Sequence, residues 1–113
     1  MVAVSIILAA YNEEENIGNC LDSLLSQDYD DFEIIVVDDG STDRTQELVE
    51  TYLEKSRKMR MISNISNKGH TYSRNLGASY ANGEIIGFTD ADCVLPENWI
   101  RKIIDCFSGC FTD

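Results

Sequence analysis

Basic residues are scarce in this sequence: nine Lys+Arg stand against twenty Asp+Glu, a formal net charge of -11. Such a surface repels phosphate backbones and anionic headgroups, which argues against nucleic acid as a partner. Histidine and proline each occur once, as His70 and Pro96. With its one histidine in a polar stretch, the chain has no credible Ser-His-Asp or Cys-His constellation. The four cysteines, Cys20, Cys93, Cys106 and Cys110, include no CxxC pair and no histidine at zinc-ligand spacing. They are expected to be reduced thiols of a cytoplasmic chain, with Cys106 and Cys110 as small apolar side chains packed inside. Neither GxGxxG nor GxxxxGKS/T occurs, so the dinucleotide and P-loop ways of holding phosphate lack their glycines. No apolar run approaches the roughly 20 residues that a membrane-spanning helix needs. The stretch from Val2 to Ala10 has the length of a signal-peptide core, but no Lys or Arg precedes it and it reads as a buried strand.

What is present is an alternation. With 113 residues, 43% of them hydrophobic, one compact domain over 1–113 is expected. Val4–Ala9 and Phe32–Val37 are continuous β-branched runs, the pattern of parallel strands covered on both faces. Each is followed by a helical stripe: Ile17, Leu21, Leu24 and Leu25 after the first, Leu48, Val49, Tyr52 and Leu53 after the second. Ser41, Thr42 or Asp43 is positioned to cap the second helix, and the basic cluster Lys55, Arg57, Lys58 and Arg60 complements its C-terminal dipole. A short strand at Arg60–Ser63, a helix near Thr71–Ala81 with Gly83 as its C-cap, a strand at Glu84–Thr89 and a last helix opened by Pro96 complete a β-α-β-α-β-α-β-α order. Such an order predicts an α/β fold: three layers, a mostly parallel sheet with helices on both faces.

Ligands of such sheets collect at the carboxyl ends of the strands. Three of the four expected strands end in polar or acidic residues: Tyr11-Asn12-Glu13, Asp38-Asp39 and Asp90-Ala91-Asp92. Two carboxylates one residue apart, just past a strand, can share one hard cation, and Mg²⁺ or Mn²⁺ commonly divides its coordination between protein and substrate phosphates. A diphosphate beside several carboxylates meets repulsion of about 4 kcal/mol per contacting charge pair near a protein surface, which a divalent ion offsets. Asp90 and Asp92 are therefore the metal candidates. Asp39 could accept a hydrogen bond from a base or ribose, or could simply be a turn residue. Tyr11 offers an aromatic face for stacking, or packs at the core edge. Arg74 reaches either a phosphate or a neighbouring carboxylate.

The segments Val4-Ser-Ile-Ile-Leu-Ala-Ala-Tyr-Asn-Glu13, Val36-Val-Asp-Asp-Gly-Ser-Thr-Asp43, Ser73-Arg-Asn-Leu-Gly-Ala78, Gly83-Glu84 and Phe88-Thr-Asp-Ala-Asp92 resemble, in order, the signature segments of family 2 glycosyltransferases. The resemblance covers nearly the whole chain and implies the GT-A fold. It also implies a nucleotide-diphosphate sugar donor, UDP-sugar foremost, transferred with inversion in a single displacement with Mn²⁺ or Mg²⁺. At matching positions it places Tyr11 and Asp39 at the nucleobase, Asp90 at the ribose and metal, Asp92 at the metal, and Glu13 and Arg74 among the nucleotide contacts. The family's general base belongs to a later acidic motif with no counterpart here. A truncated donor-binding half is therefore expected, with the acceptor undetermined and an edge prone to self-association. A peripheral place at the cytoplasmic membrane face is expected of the full-length protein. Ala9-Ala10 stands where the family often has Pro or a hydroxyl residue before Tyr-Asn.

Two readings from other classes remain at this stage. One is a non-catalytic module that binds nucleotide sugar or packs against a partner chain. The other is a phospho-accepting receiver, whose acidic pair Val36-Val37-Asp38-Asp39 mimics. A whole β-α unit precedes that pair, however, and the lysine expected well beyond Asp90 has no counterpart except nearby Lys102.

Overall fold

The computed structural model describes residues 2–108. Its elements run β1 (Val4–Ala10), α1 (Ile17–Leu25), β2 (Phe32–Asp38), α2 (Thr45–Leu53), β3 (Met59–Ser63), α3 (His70–Ser79), β4 (Ile85–Asp90) and α4 (Trp99–Ser108). The four strands form one sheet in the order β3-β2-β1-β4, with every neighbouring pair parallel. Register sets Ala10 beside Asp38, Ala9 beside Asp90, and Asp38 beside Ser63, so all four carboxyl ends reach one rim.

Every residue of β1 and β2 is buried, as expected for central strands covered on both faces. Alternation divides their side chains between two layers. Val4, Ile6, Leu8, Phe32, Ile34 and Val36 pack with Ile17, Leu21 and Leu24 of α1, Val49 of α2 and Ile100 of α4. Ile7, Ile35 and Val37 face the other way, against Leu76 and Ala81 at α3 and just beyond it. Helices α1 and α2 carry the chain outward from β1 to β3, while α3 brings it back across to β4. Right-handed crossovers put the outward and the returning helices on opposite faces. Strand order reverses between β1 and β4, which is where an open α/β sheet leaves a crevice at its carboxyl rim.

The opposite rim is closed by a polar knot. Glu33 sits within β2, accepting hydrogen bonds from the Ser5 hydroxyl (2.6 Å), the Asn82 amide (2.7 Å) and Arg60 (3.2 Å). Burial pushes its carboxyl up, but these donors outweigh burial and hold it below the ordinary range. Gly83 belongs to this knot and is not the C-cap of α3, which ends at Ser79 with Tyr80 as its cap. A Cβ on Gly83 would lie 2.7 Å from the Ser5 nitrogen. Pro96 likewise stands in the turn before α4, not in its first turn. Its carbonyl accepts from the Trp99 amide and from Gln27, whose Oε1 accepts in turn from the Ile100 amide. Cys20 is buried, whereas Cys106 is exposed and not packed inside as expected; Cys110 lies outside the described residues.

Candidate functional site

The carboxyl rim is assembled from loops that fasten to one another. After β1, Asn12 takes a left-handed conformation (φ 51°). Its Oδ1 accepts from the Thr42 amide at 2.8 Å and the Asp43 amide at 3.3 Å, while its own amide donates to Ser41 Oγ at 2.9 Å. The Glu13 amide donates to Thr45 Oγ1 (2.8 Å). Asp43, of the three candidate caps, accepts from the Thr45 amide at 2.9 Å. Segment 11–15 and segment 40–45 are therefore one unit, although about thirty residues separate them in sequence.

Asp39 does the same for the loop before α3. Only 3% exposed, its carboxylate accepts from Asn64 Nδ2 (2.8 Å), the Lys68 amide (2.8 Å) and the Gly69 amide (2.9 Å). Burial raises its pKa, yet these N–H donors prevail and hold it below 3.8, the ordinary value. Gly40, at φ 75°, lets the two loops touch: a Cβ there would lie 2.7 Å from the Ser66 carbonyl carbon. The neighbouring Asp38 is also buried, with Oδ2 accepting from the Ser41 amide at 3.3 Å.

Between β1, α3 and the end of β4 opens a cleft of about 340 Å³ whose functional lining is Glu13, His70, Arg74, Asp90 and Asp92. Asp90 and Asp92 are exposed, and one ligand atom of each lies within 4.8 Å of the other and of Cys93 Sγ. Paired hard oxygens at that separation fit a divalent cation such as Mg²⁺ or Mn²⁺. The negative field is felt beneath the cleft by Cys20, whose Sγ lies 3.6 Å from the Asp90 carbonyl oxygen. Burial, and then the neighbouring Cys93, Asp92, Glu13 and Asp90, push its thiol up to about 12. Arg74 on α3 extends across the cleft and donates to Asp90 Oδ1 at 2.9 Å.

The residues singled out from the sequence thus do not all meet. Glu13, Arg74, Asp90 and Asp92 share the cleft; Tyr11 stands 39% exposed on the same rim; Asp39 is turned inward as the anchor of loop 64–69. His70 was dismissed for want of a partner, yet it lines the cleft one helical turn before Arg74. Starting α3 at His70 puts the two at i and i+4, the spacing that brings side chains to one face. A second hollow, of about 410 Å³, lies at the far rim beside Arg57, Lys58 and Arg60. Two of these cations have structural partners: Lys58 sits 4.5 Å above the Phe32 ring and Arg60 pairs with Glu33.

The family model described as Glycosyl transferase family 2 matches residues 5–109. Among curated proteins, this chain is similar to the uncharacterized glycosyltransferase EpsJ of Bacillus subtilis, 45% identical over 102 residues that make up 90% of this chain and 29% of that one. It is also similar to glycosyltransferase AglE of Haloferax volcanii, 33% identical over 112 residues, 97% of this chain and 37% of the relative. Among solved structures, S. aureus TarS 1–349 in complex with UDP-GlcNAc superposes with a TM-score of 0.88 at 32% identity, over 95% of this chain and 31% of that one. The mannosyltransferase PcManGT of Pyrobaculum calidifontis, in complex with GDP-Man and Mn²⁺, superposes at 0.78 and 33% identity, over 82% and 28%. The chain spans about a third of the length of the curated relatives it matches.

Proposed function

The chain belongs to glycosyl transferase family 2, with the GT-A fold, and from that premise we propose that it supplies the donor side of a sugar transfer. The ligand is a nucleoside-diphosphate sugar, a UDP-sugar foremost, and the reaction is transfer to an acceptor hydroxyl with inversion. The observation that carries this reading is the convergence of Glu13, Arg74, Asp90 and Asp92 on one cleft at the β1–β4 reversal. Donors of this class are carried by two of the structural neighbours, UDP-GlcNAc by TarS and GDP-Man by PcManGT.

Asp90 and Asp92 would hold the divalent metal, Mn²⁺ or Mg²⁺. When bound, that ion neutralises diphosphate charge and stabilises it as a leaving group. Glu13 and Arg74 border the same space. Tyr11, with its ring partly open on the rim, would stack on the base. Asp39 contributes by holding loop 64–69 in place, and any base contact it makes uses the lone pairs left over from that task. No described residue is assigned as the base that deprotonates the acceptor.

Calorimetric titration of UDP, and separately GDP, with and without Mn²⁺, tests the proposal. Metal-dependent binding that disappears in Asp92→Ala is expected. A folded protein that binds neither nucleotide in either condition overturns it.

A second reading has its own support, in the outer face of β4. Ile86 (41% exposed) and Phe88 (47%) register with Ser5 and Ile7 on the face of the sheet that α3 covers over β1 and β2, and stand open on the edge strand beyond it. Apolar side chains along a strand with no described partner on its outer edge favour association with a second copy.

A further inference from the structure

We infer that His70 is a specificity-determining contact to the donor's diphosphate, made from the same face of α3 as Arg74; the inference rests on the donor-site reading. Three of the residues lining the cleft carry carboxylates, Glu13, Asp90 and Asp92, and two carry nitrogen donors, His70 and Arg74. Arg74 is already bonded to Asp90 at 2.9 Å. The His70 side chain makes no hydrogen bond or ion pair with any described residue. Of the two donors, His70 is the one whose whole side chain is without a partner among the described residues; Arg74 keeps only its buried Nε unpaired. A metal on Asp90 and Asp92 neutralises only part of a diphosphate's charge, and the remaining phosphate oxygens need donors from the opposite wall.

The chain also fixes where His70 points from. The two amides just before it, Lys68 and Gly69, are both held by Asp39. The Ser73 amide bonds back to the Gly69 carbonyl at 3.1 Å and closes the first turn of α3. The Ser73 hydroxyl meanwhile accepts from Asn64, the other residue on the Asp39 carboxylate. His70 is thus the first residue of a helix clamped at its start, and it stands at the positive end of that helix, where anions are favoured. An unclamped loop histidine would lose more side-chain and backbone freedom on meeting a phosphate.

The test compares UDP with uridine, which carries the base and ribose but no phosphate, in calorimetry with Mn²⁺ on the wild-type chain, His70→Ala and His70→Lys. The expected result is a roughly tenfold loss of UDP affinity in His70→Ala, unchanged uridine affinity, and recovery of UDP binding in His70→Lys. Equal loss for UDP and uridine would mean that His70 only supports the fold, and unchanged UDP affinity would mean that it touches nothing; either overturns the inference. A wild-type chain that binds neither ligand removes the donor site itself, and the inference falls with it. The two failures are distinguished by the wild-type titration.

Discussion

Arg74 and Asp90 hold each other at 2.9 Å across the mouth of the cleft, so the cation suited to a donor phosphate is engaged with a carboxylate suited to the metal. A divalent ion held by Asp90 and Asp92 would compete with that guanidinium and leave it available to a diphosphate. Metal and nucleotide binding at the proposed site would thereby be coupled through one side chain. With side chains 41% and 58% exposed, the pair is worth no more than about 1 kcal/mol.

Arg74→Gln is expected to raise Mn²⁺ affinity in the absence of nucleotide by up to roughly fivefold. The same change should lower UDP affinity in saturating Mn²⁺ by about tenfold. Electron paramagnetic resonance of free Mn²⁺ reads the first and calorimetry the second. A fall in both would show that Arg74 shapes the carboxylates instead of competing for them.

Asp39→Asn turns an amide hydrogen toward donors that now meet a carboxylate, and is expected to cost about 2 kcal/mol or more in denaturant unfolding. Its effect on pH dependence has a definite sign. Asp39, Asp43 and Glu33 all titrate lower in the folded chain than their ordinary values of 3.8, 3.8 and 4.5. Between the two values the unfolded chain binds more protons, so stability rises with pH there. Their contribution is complete above those ordinary values and is lost as pH falls through the depressed ones. Unfolding midpoints should therefore be flat near neutrality and drop below about pH 4, with a shallower drop in Asp39→Asn. An acid limb identical in the two proteins would mean that Asp39 is not anchored as described.

Gly40→Ala forces a side chain into a positive φ and sets its Cβ 2.7 Å from Ser66 and 2.8 Å from Asn67 backbone atoms. Strain and overpacking together should cost about 3 kcal/mol, a fall in Tm of about 10 °C. Thermal unfolding followed by circular dichroism measures it. A Tm within about two degrees of wild type would mean that the two rim loops separate at little cost.

The strands and the helix order were legible because they follow from periodicity: the runs at Val4–Ala10 and Phe32–Asp38 are apolar but for Ser5, Glu33 and Asp38, and Ile17, Leu21 and Leu24 repeat at helical spacing. Asp90 and Asp92 were legible because they stand together just past a strand. Partnerships across the rim were not. Asn12 with Thr42, Asp39 with Gly69, and Ser5 with Gly83 join residues thirty or more positions apart, and no local pattern encodes such pairs. Gly83 reads as a helix cap from the sequence because the close approach of Ser5 leaves no mark on the residues around it. His70 reads from the sequence as a loop residue without a partner, and its place on one helix face with Arg74 depends on α3 starting at His70 and not at Thr71.

Phe88→Glu is expected to reduce self-association at the outer face of β4. Light scattering over a concentration series should show the wild-type chain growing in apparent mass and the variant holding at 12.7 kDa for the monomer. A wild-type chain that stays monomeric at high concentration would count against the packing of a second copy on Ile86 and Phe88.

The polar knot of Ser5, Glu33, Arg60 and Asn82 sits at the end of the sheet farthest from the cleft. It gives the two rims different tolerances to change. At the carboxyl rim, exposed positions outside the fastenings at Asn12, Asp39, Gly40 and Asp43 can be changed without loosening the strands. Diversity introduced at the amino rim instead strands Glu33 in the sheet without its donors. A library for altered sugar choice should therefore randomise around His70 and Tyr11 and leave residues 5, 33, 82 and 83 untouched.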